Sequence, residues 1–185
     1  MRIVITGTPG VGKTHYAKLL GKVLGAEVID VNKFAISKGL TIGKGPFDSK
    51  IIDIKRLQNL LNKFMEKQEK QKKITILEGH LLCDMEIKAD FAIVLREHLT
   101  VLKKRLEKRG YSKEKIKENL IAEATDYCGQ HAVNNYRRVY EFLSSDKSVL
   151  EKLVSLSKGR KVKSKNIELL EELVGIMRSE KNFGI

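Results

Sequence analysis

The sequence predicts an α/β fold in which a parallel, five-stranded sheet carries helices on both faces. Three observations predict it. Short β-branched, apolar runs alternate with longer segments of helical spacing over most of the chain, the pattern of successive βα units. The first run, Arg2–Thr6, passes at once into a glycine-rich turn and then into an amphipathic segment. The chain has 185 residues, 42% of them apolar, which suits one compact domain with its own core.

Taken in order, Arg2–Thr6 (RIVIT) reads as a buried strand, and Thr14–Leu24 as a helix closed by Gly25. Glu27–Val31 is a second strand, and Asn32 stands where it would cap a short helix through Ile36. Gly39–Asp48 (GLTIGKGPFD) has the glycine and proline content of a mobile loop. Asp53–Lys73 places Ile54, Leu57, Leu60, Leu61 and Phe64 on one helical face. Ile74–Leu77, Asp90–Leu95 and the weaker Val139–Leu143 complete the strands. Thr100–Lys108 is a helix that stops at Gly110, and Ser112 caps a longer helix expected to run to about Asn134. In the tail, Val149–Leu156 has helical spacing, 158–165 (KGRKVKSK) reads as a basic linker, and 167–177 as an amphipathic helix capped by Asn166.

Gly7–Thr14 (GTPGVGKT) fits G-x-x-x-x-G-K-[ST] in full, between a strand and a helix. Glycines let consecutive N–H groups turn inward onto phosphate oxygens, and the helix behind adds its N-terminal N–H groups and dipole. Gly10, Val11, Gly12, Lys13, Thr14 and His15 are the nucleotide-binding candidates. Lys13 supplies a charge at the β/γ-phosphates, the Thr14 hydroxyl suits Mg²⁺, and the His15 N–H reaches toward an α-phosphate. A GTPase needs N-K-x-D to select guanine. Here Asn32-Lys33 runs on to Phe34-Ala35, so the Asp is missing, and the chain's size and the loop-rich insert after the second strand favour a small-molecule kinase instead.

Lys plus Arg number 36 against 23 Asp plus Glu, a net +13. That excess points to polyanionic partners such as nucleotides or RNA. No apolar run is long enough for a membrane span, and no secretory signal is evident, so a cytoplasmic protein is expected. Cys83 and Cys128 are far apart in sequence and read as two buried or free thiols.

Ile74–His80 (ITILEGH) is a buried strand ending in an acid. An acid at such a strand end holds Mg²⁺ directly or through water, which makes Glu78 a metal candidate beside Thr14. His80, two residues on, is placed to orient water or steady the transferring group. Arg105, Lys108 and Arg109 precede Gly110-Tyr111, and Arg109 at the turn is the candidate to neutralise charge on the moving phosphoryl.

Three segments now stand together: GTPGVGKT at Gly7–Thr14, EGHLLCD at Glu78–Asp84 and LEKRGYSKEKIKENLIAEA at Leu106–Ala124. Over about residues 1–146 the chain resembles the atypical adenylate kinase family that includes the sixth human adenylate kinase isoenzyme, the coilin-interacting nuclear ATPase, and it is of the archaeal type. The resemblance implies a P-loop NTPase fold with core 1–29 and 54–146, a monophosphate-binding insert at about 30–53, a short lid at about 108–118 and a basic helical extension at 147–185. It implies ATP with Mg²⁺ as donor, AMP or another nucleoside monophosphate as acceptor, and ATPase activity. It also implies a role in small-ribosomal-subunit and rRNA maturation, with the small-subunit protein uS-eleven as partner. The catalytic set it implies is Lys13, Glu78, His80 and Arg109. Two positions depart from the family pattern: Glu78 stands where Asp is frequent, and Ile36 stands about where better-known members carry an acceptor-side arginine.

Overall fold

The computed structural model describes residues 1–164 and 167–179. The expected cap Asn166 lies outside the described residues. Five strands form one parallel sheet: β1 (Arg2–Thr6), β2 (Glu27–Asp30), β5 (Thr75–Glu78), β6 (Phe91–Arg96) and β7 (Val139–Leu143). Their spatial order is β2-β5-β1-β6-β7. The register aligns Ile5 with Glu78 and Asp30 with Glu78, so the carboxyl ends of the three strands meet at one edge.

Alternation along the strands divides the core in two. Ile3, Ile5, Ile76, Ile93 and Leu95 face α1 (Lys13–Leu24), α4 (Leu99–Lys108), α5 (Lys113–Ala124), α7 (Val149–Ser157) and α8 (Leu170–Ser179). Val4, Leu77, Ala92 and Val94 face α2 (Val31–Ser37), α3 (Ile54–Lys70) and α6 (Tyr127–Asn135). In α3 the buried residues Leu57, Leu61, Met65 and Gln68 fall on one stripe, and Asp53 caps its first turn by accepting from Arg56 N at 2.9 Å.

Four local expectations are corrected. The helix expected from Ser112 to Asn134 is two helices. Asp126 sits between them at φ 54°, a conformation that Asp tolerates, and its carboxylate caps α6 by accepting from Gly129 N at 3.2 Å. Without a glycine or proline at the break, periodicity ran straight through it. The stretch 39–48 contains β3 (Thr41–Lys44), which pairs antiparallel with β4 (Lys50–Ile52) in a hairpin. The short helix α2 is capped by Asp30, which accepts from Lys33 N at 3.0 Å, and not by Asn32. The last helix starts at Leu170, three residues later than its apolar spacing indicated.

That last helix is built into the core. Ile167, Leu169, Leu173 and Ile176 are buried against the α4–α5 layer. Glu172 accepts from Leu99 N at 2.9 Å and meets His98 Nδ1 at 2.6 Å, so it caps the amino end of α4. Leu173→Ala is expected to cost about 2 kcal/mol and lower Tm by roughly 4–8 °C in thermal unfolding. An unchanged Tm would show that α8 adds nothing to the domain's stability.

Candidate active site

The loop after β1 takes a shape that side chains resist. Gly7 has φ 135°, and a Cβ there would stand 2.2 Å from the Leu95 carbonyl oxygen. Gly12, at φ 106°, turns the chain into α1. Lys13 is buried in this loop, with Nζ donating to Gly7 O at 2.8 Å and Thr8 O at 3.0 Å. Burial lowers the pKa of its ammonium, and the Glu78 and Glu123 carboxylates oppose that shift. Val11 points into the core, fully buried, and is not among the residues that line the cleft.

Thr14 Oγ1 donates to Glu78 Oε1 at 2.8 Å across the β1–β5 junction. Glu78 is 4% exposed. Burial pushes its carboxyl up, the Thr14 hydrogen bond pulls it down, and Asp30 adds to the rise. His80 opens a short 3₁₀ turn over His80–Asp84, with Nδ1 3.4 Å from Asn32 Nδ2. Burial and then the Lys13 charge hold its imidazole down at about 4, so it is neutral at pH 7. Arg109 closes α4 and lines the same cleft as Glu78. The cleft, about 260 Å³, thus brings together Gly10, Gly12, Lys13, Thr14, His15, Glu78, His80 and Arg109. A wider cleft of about 480 Å³ opens beside it on the insert side, lined by Thr14, Lys18, Asp30, Lys33, Phe34, Ser37 and Glu78.

Among the described residues, no group of three or more His, Cys, Asp or Glu side chains is placed to hold a metal ion alone. Thr14 and Glu78 are nevertheless an oxygen pair of the kind Mg²⁺ takes together with phosphate oxygens and water. A dication there would favour the ionised Glu78 carboxylate that burial holds back.

A charged network beneath the loop went unread in the sequence. Arg96, 1% exposed, ends β6. Its Nε donates to Glu123 Oε1 at 3.0 Å, its Nη2 to Glu123 O at 2.6 Å, and its Nη1 to Asp126 Oδ1. Thr8 Oγ1 donates to the other Glu123 oxygen. Arg105, on the helix that the candidate Arg109 closes, braces the loop. Its Nη2 pairs with Glu97 at 2.7 Å and its Nη1 donates to Gly10 O at 3.3 Å. The signal was present: Arg96 and Glu97 follow directly on the apolar run Phe91–Leu95, where a charged pair has to be buried or paired. The two cysteines also meet. Cys83 and Cys128 are both free and buried, with sulfurs 3.4 Å apart.

A parallel sheet whose central strand ends in a phosphate loop, next to a strand ending in an acid, defines the P-loop nucleotide-binding fold. A family model described as "AAA domain" matches residues 3–126. The putative adenylate kinase of Pyrococcus abyssi is 38% identical over 161 residues, covering 85% of this chain and 84% of that protein. That of Methanocaldococcus jannaschii is 39% identical over 150 residues, covering 80% of each. The chain belongs to this family of archaeal putative adenylate kinases. Among solved structures, shikimate kinase from Acinetobacter baumannii in complex with shikimate aligns with TM-score 0.56 at 15% identity, over 88% of this chain and 95% of that one. Shikimate kinase from Aquifex aeolicus aligns with TM-score 0.53 at 17% identity, over 86% and 97%. At these identities the likeness is one of fold. Among the described residues no helix is long and apolar enough to cross a membrane.

Glu141 is the least satisfied member of the network. Its Oε2 lies 3.6 Å from Arg96 Nη1 and has no hydrogen-bond partner. Burial, followed by the Asp126 carboxylate, pushes its pKa up to about 7. The folded protein therefore holds this proton through a pH range in which the unfolded chain has lost it. The stability linked to that proton is complete below about pH 4.5 and is lost as pH rises through 7. Glu141→Gln keeps the neutral form at every pH. It is expected to be more stable than wild type at pH 8, by on the order of 2–3 kcal/mol, and to converge with it near pH 4.5. Equal Tm values at pH 8 in a thermal-melt series would exclude this account.

Proposed function

We propose that the chain is an adenylate kinase-type phosphotransferase that moves the γ-phosphoryl of Mg-ATP to AMP (ATP + AMP = 2 ADP), and that it also hydrolyses ATP. The observation that carries the reading is the Thr14–Glu78 hydrogen bond beside Lys13. It joins a phosphate loop to an acidic strand end, in a chain whose relatives are named as adenylate kinases.

In this reading the N–H groups from Gly10 to His15 receive the donor phosphates, and Lys13 turns from its own loop carbonyls to the β/γ-oxygens. Thr14 and Glu78 would hold Mg²⁺, which when bound offsets charge on the phosphate oxygens. His80, neutral, offers a hydrogen bond at the transfer position without adding a charge. Arg109 approaches ATP from the lid, 108–118. The insert, 30–53, frames the acceptor side. There Ile36 is exposed, and Lys33 with Lys18 supplies the cations. Catalysis is then positioning and electrostatics, with closure of insert and lid excluding water. The resemblance to the family of the sixth human isoenzyme supports the same assignment of core, insert and lid.

Lys13→Ala is expected to lower turnover by at least about 100-fold, and Arg109→Ala by roughly 10- to 100-fold, in a coupled assay of ADP formed from ATP and AMP. Tm should hold or rise for Lys13→Ala, because a buried ammonium is removed. Absence of ADP formation by the wild type, with ATP binding intact, would refute the kinase reading.

A second reading is an ATPase switch in small-ribosomal-subunit maturation, acting with protein uS-eleven and touching rRNA. It is favoured by the net charge of +13 and by the exposed run Lys158, Arg160, Lys161 and Lys163 between α7 and α8. Replacing these four by alanine is expected to reduce the slope of log K against log salt for RNA binding by about 3. Salt-insensitive binding, or an unchanged slope, would remove this support.

A further inference from the structure

The phosphate loop has one side-chain tie to the rest of the molecule that none of its assigned roles uses. Thr8, the second residue of the loop, is 2% exposed. Its hydroxyl donates to Glu123 Oε2, and its carbonyl oxygen accepts from Lys13 Nζ at 3.0 Å. The same carbonyl oxygen takes Val11 N at 3.4 Å. The rotation of Thr8 thus sets where Lys13 rests and how the loop curls.

Glu123 is itself immobilised. It is 1% exposed, and its Oε1 accepts from Arg96 Nε at 3.0 Å and from Glu97 N at 2.9 Å. These bonds pin the last turn of α5 to the end of β6. Neutralising Arg96 does not require the Thr8 contact, since Asp126 and Glu141 also face that guanidinium. The second carboxylate oxygen is therefore left to hold the loop. At its other end α5 begins at Lys113, just past the turn that carries Arg109 and Tyr111 into the cleft. One stiff helix, about 18 Å long, mounts both the loop and the lid.

We propose that Glu123 is a positioning residue for phosphoryl transfer. Through Thr8 it sets the shape of the phosphate loop, and through α5 it fixes that shape relative to the lid. The inference rests on the kinase reading above and names a residue outside the cleft that the reaction depends on. A carboxylate held by a guanidinium and a backbone N–H is a stiff acceptor. A threonine hydroxyl docked on it keeps its carbonyl aimed at Lys13 until phosphate oxygens compete for that lysine.

The test uses the full chain, with Mg-ATP binding by calorimetry, steady-state kinetics with ATP and AMP, and thermal melts. Thr8→Val keeps the shape and removes the donor. It is expected to weaken Mg-ATP binding and raise the ATP KM about tenfold, with lower kcat, while Tm stays within about 2 °C. Thr8→Ser restores the hydroxyl and should lie within about twofold of wild type. In a Glu123→Gln background, Thr8→Val should add no further loss, because the two residues act as one unit. Wild-type binding and kinetics for Thr8→Val, or losses that multiply in the double variant, would overturn the proposal. If Glu123→Gln does not fold, the contrast between Thr8→Val and Thr8→Ser decides alone. If the wild type forms no ADP from ATP and AMP, the kinase reading fails, and Mg-ATP affinity still reports whether Thr8 shapes the loop.

Discussion

A guanidinium buried at the end of β6 has to be neutralised where it stands, because an unpaired charge in a protein interior costs several kcal/mol. Arg96 is that group, and the way it is paired organises the molecule. Its partners come from the end of α5, the break before α6 and the edge strand β7. Removing Glu123 or Asp126, whose carboxylates accept its hydrogen bonds, leaves buried guanidinium donors without partners. That explains why a non-glycine residue, Asp126, accepts a left-handed backbone at the α5–α6 break: the conformation aims its carboxylate at both Arg96 and Gly129 N. Gly129 fits the same logic, since a Cβ there would lie 2.3 Å from Asp126 Oδ1 and 2.5 Å from Glu141 Oε1.

The network lies directly under the chemistry. Parallel pairing sets the strand ends level, so that the loop after β1, Glu78 at the end of β5 and Arg96 at the end of β6 occupy adjacent places along one edge. Loops can be shaped freely at such an edge only if the strands below are rigid. Here they are buried on both faces by two separate apolar cores. Glu97 extends the brace by holding Arg105 and Ser144, and Tyr16 on α1 donates to the Ser144 carbonyl at 2.6 Å. The loop is gripped from α4, α5 and β6 at once.

Much of this was legible in the sequence, and the exceptions share a cause. The sheet, its strands and the phosphate loop follow from local patterns: apolar runs, period, and a motif whose glycines are required by geometry. The cleft residues Lys13, Thr14, Glu78, His80 and Arg109 lie on segments whose motifs could be read one at a time. What escaped needs knowledge of which distant residues meet. Thr8 and Glu123 are 115 residues apart, and Cys83 and Cys128 are 45 apart, yet each pair is in contact. The hairpin at 41–52 was hidden because its glycines resemble loop composition, although Thr41–Lys44 pairs with Lys50–Ile52. The α5–α6 break was hidden because it is made by a tertiary charge and not by a breaker residue.

The titrating groups of the cleft carry one further message. Burial disfavours the charged form of Lys13, of Glu78 and of His80 alike. Such a site is costly to assemble from its own residues, and the cost is relieved only by a ligand that brings the missing charges in the right places. Polyphosphate oxygens next to Lys13 would favour the ammonium, and a hard dication beside Thr14 would favour the Glu78 carboxylate. By linkage, a ligand that favours those charged forms binds more tightly where they are populated. His80 differs, because the Lys13 charge also works against its protonation, so its imidazole stands neutral beside them at pH 7. The cleft therefore sets a buried ammonium and a buried carboxyl, each with its charged form disfavoured, beside a neutral imidazole.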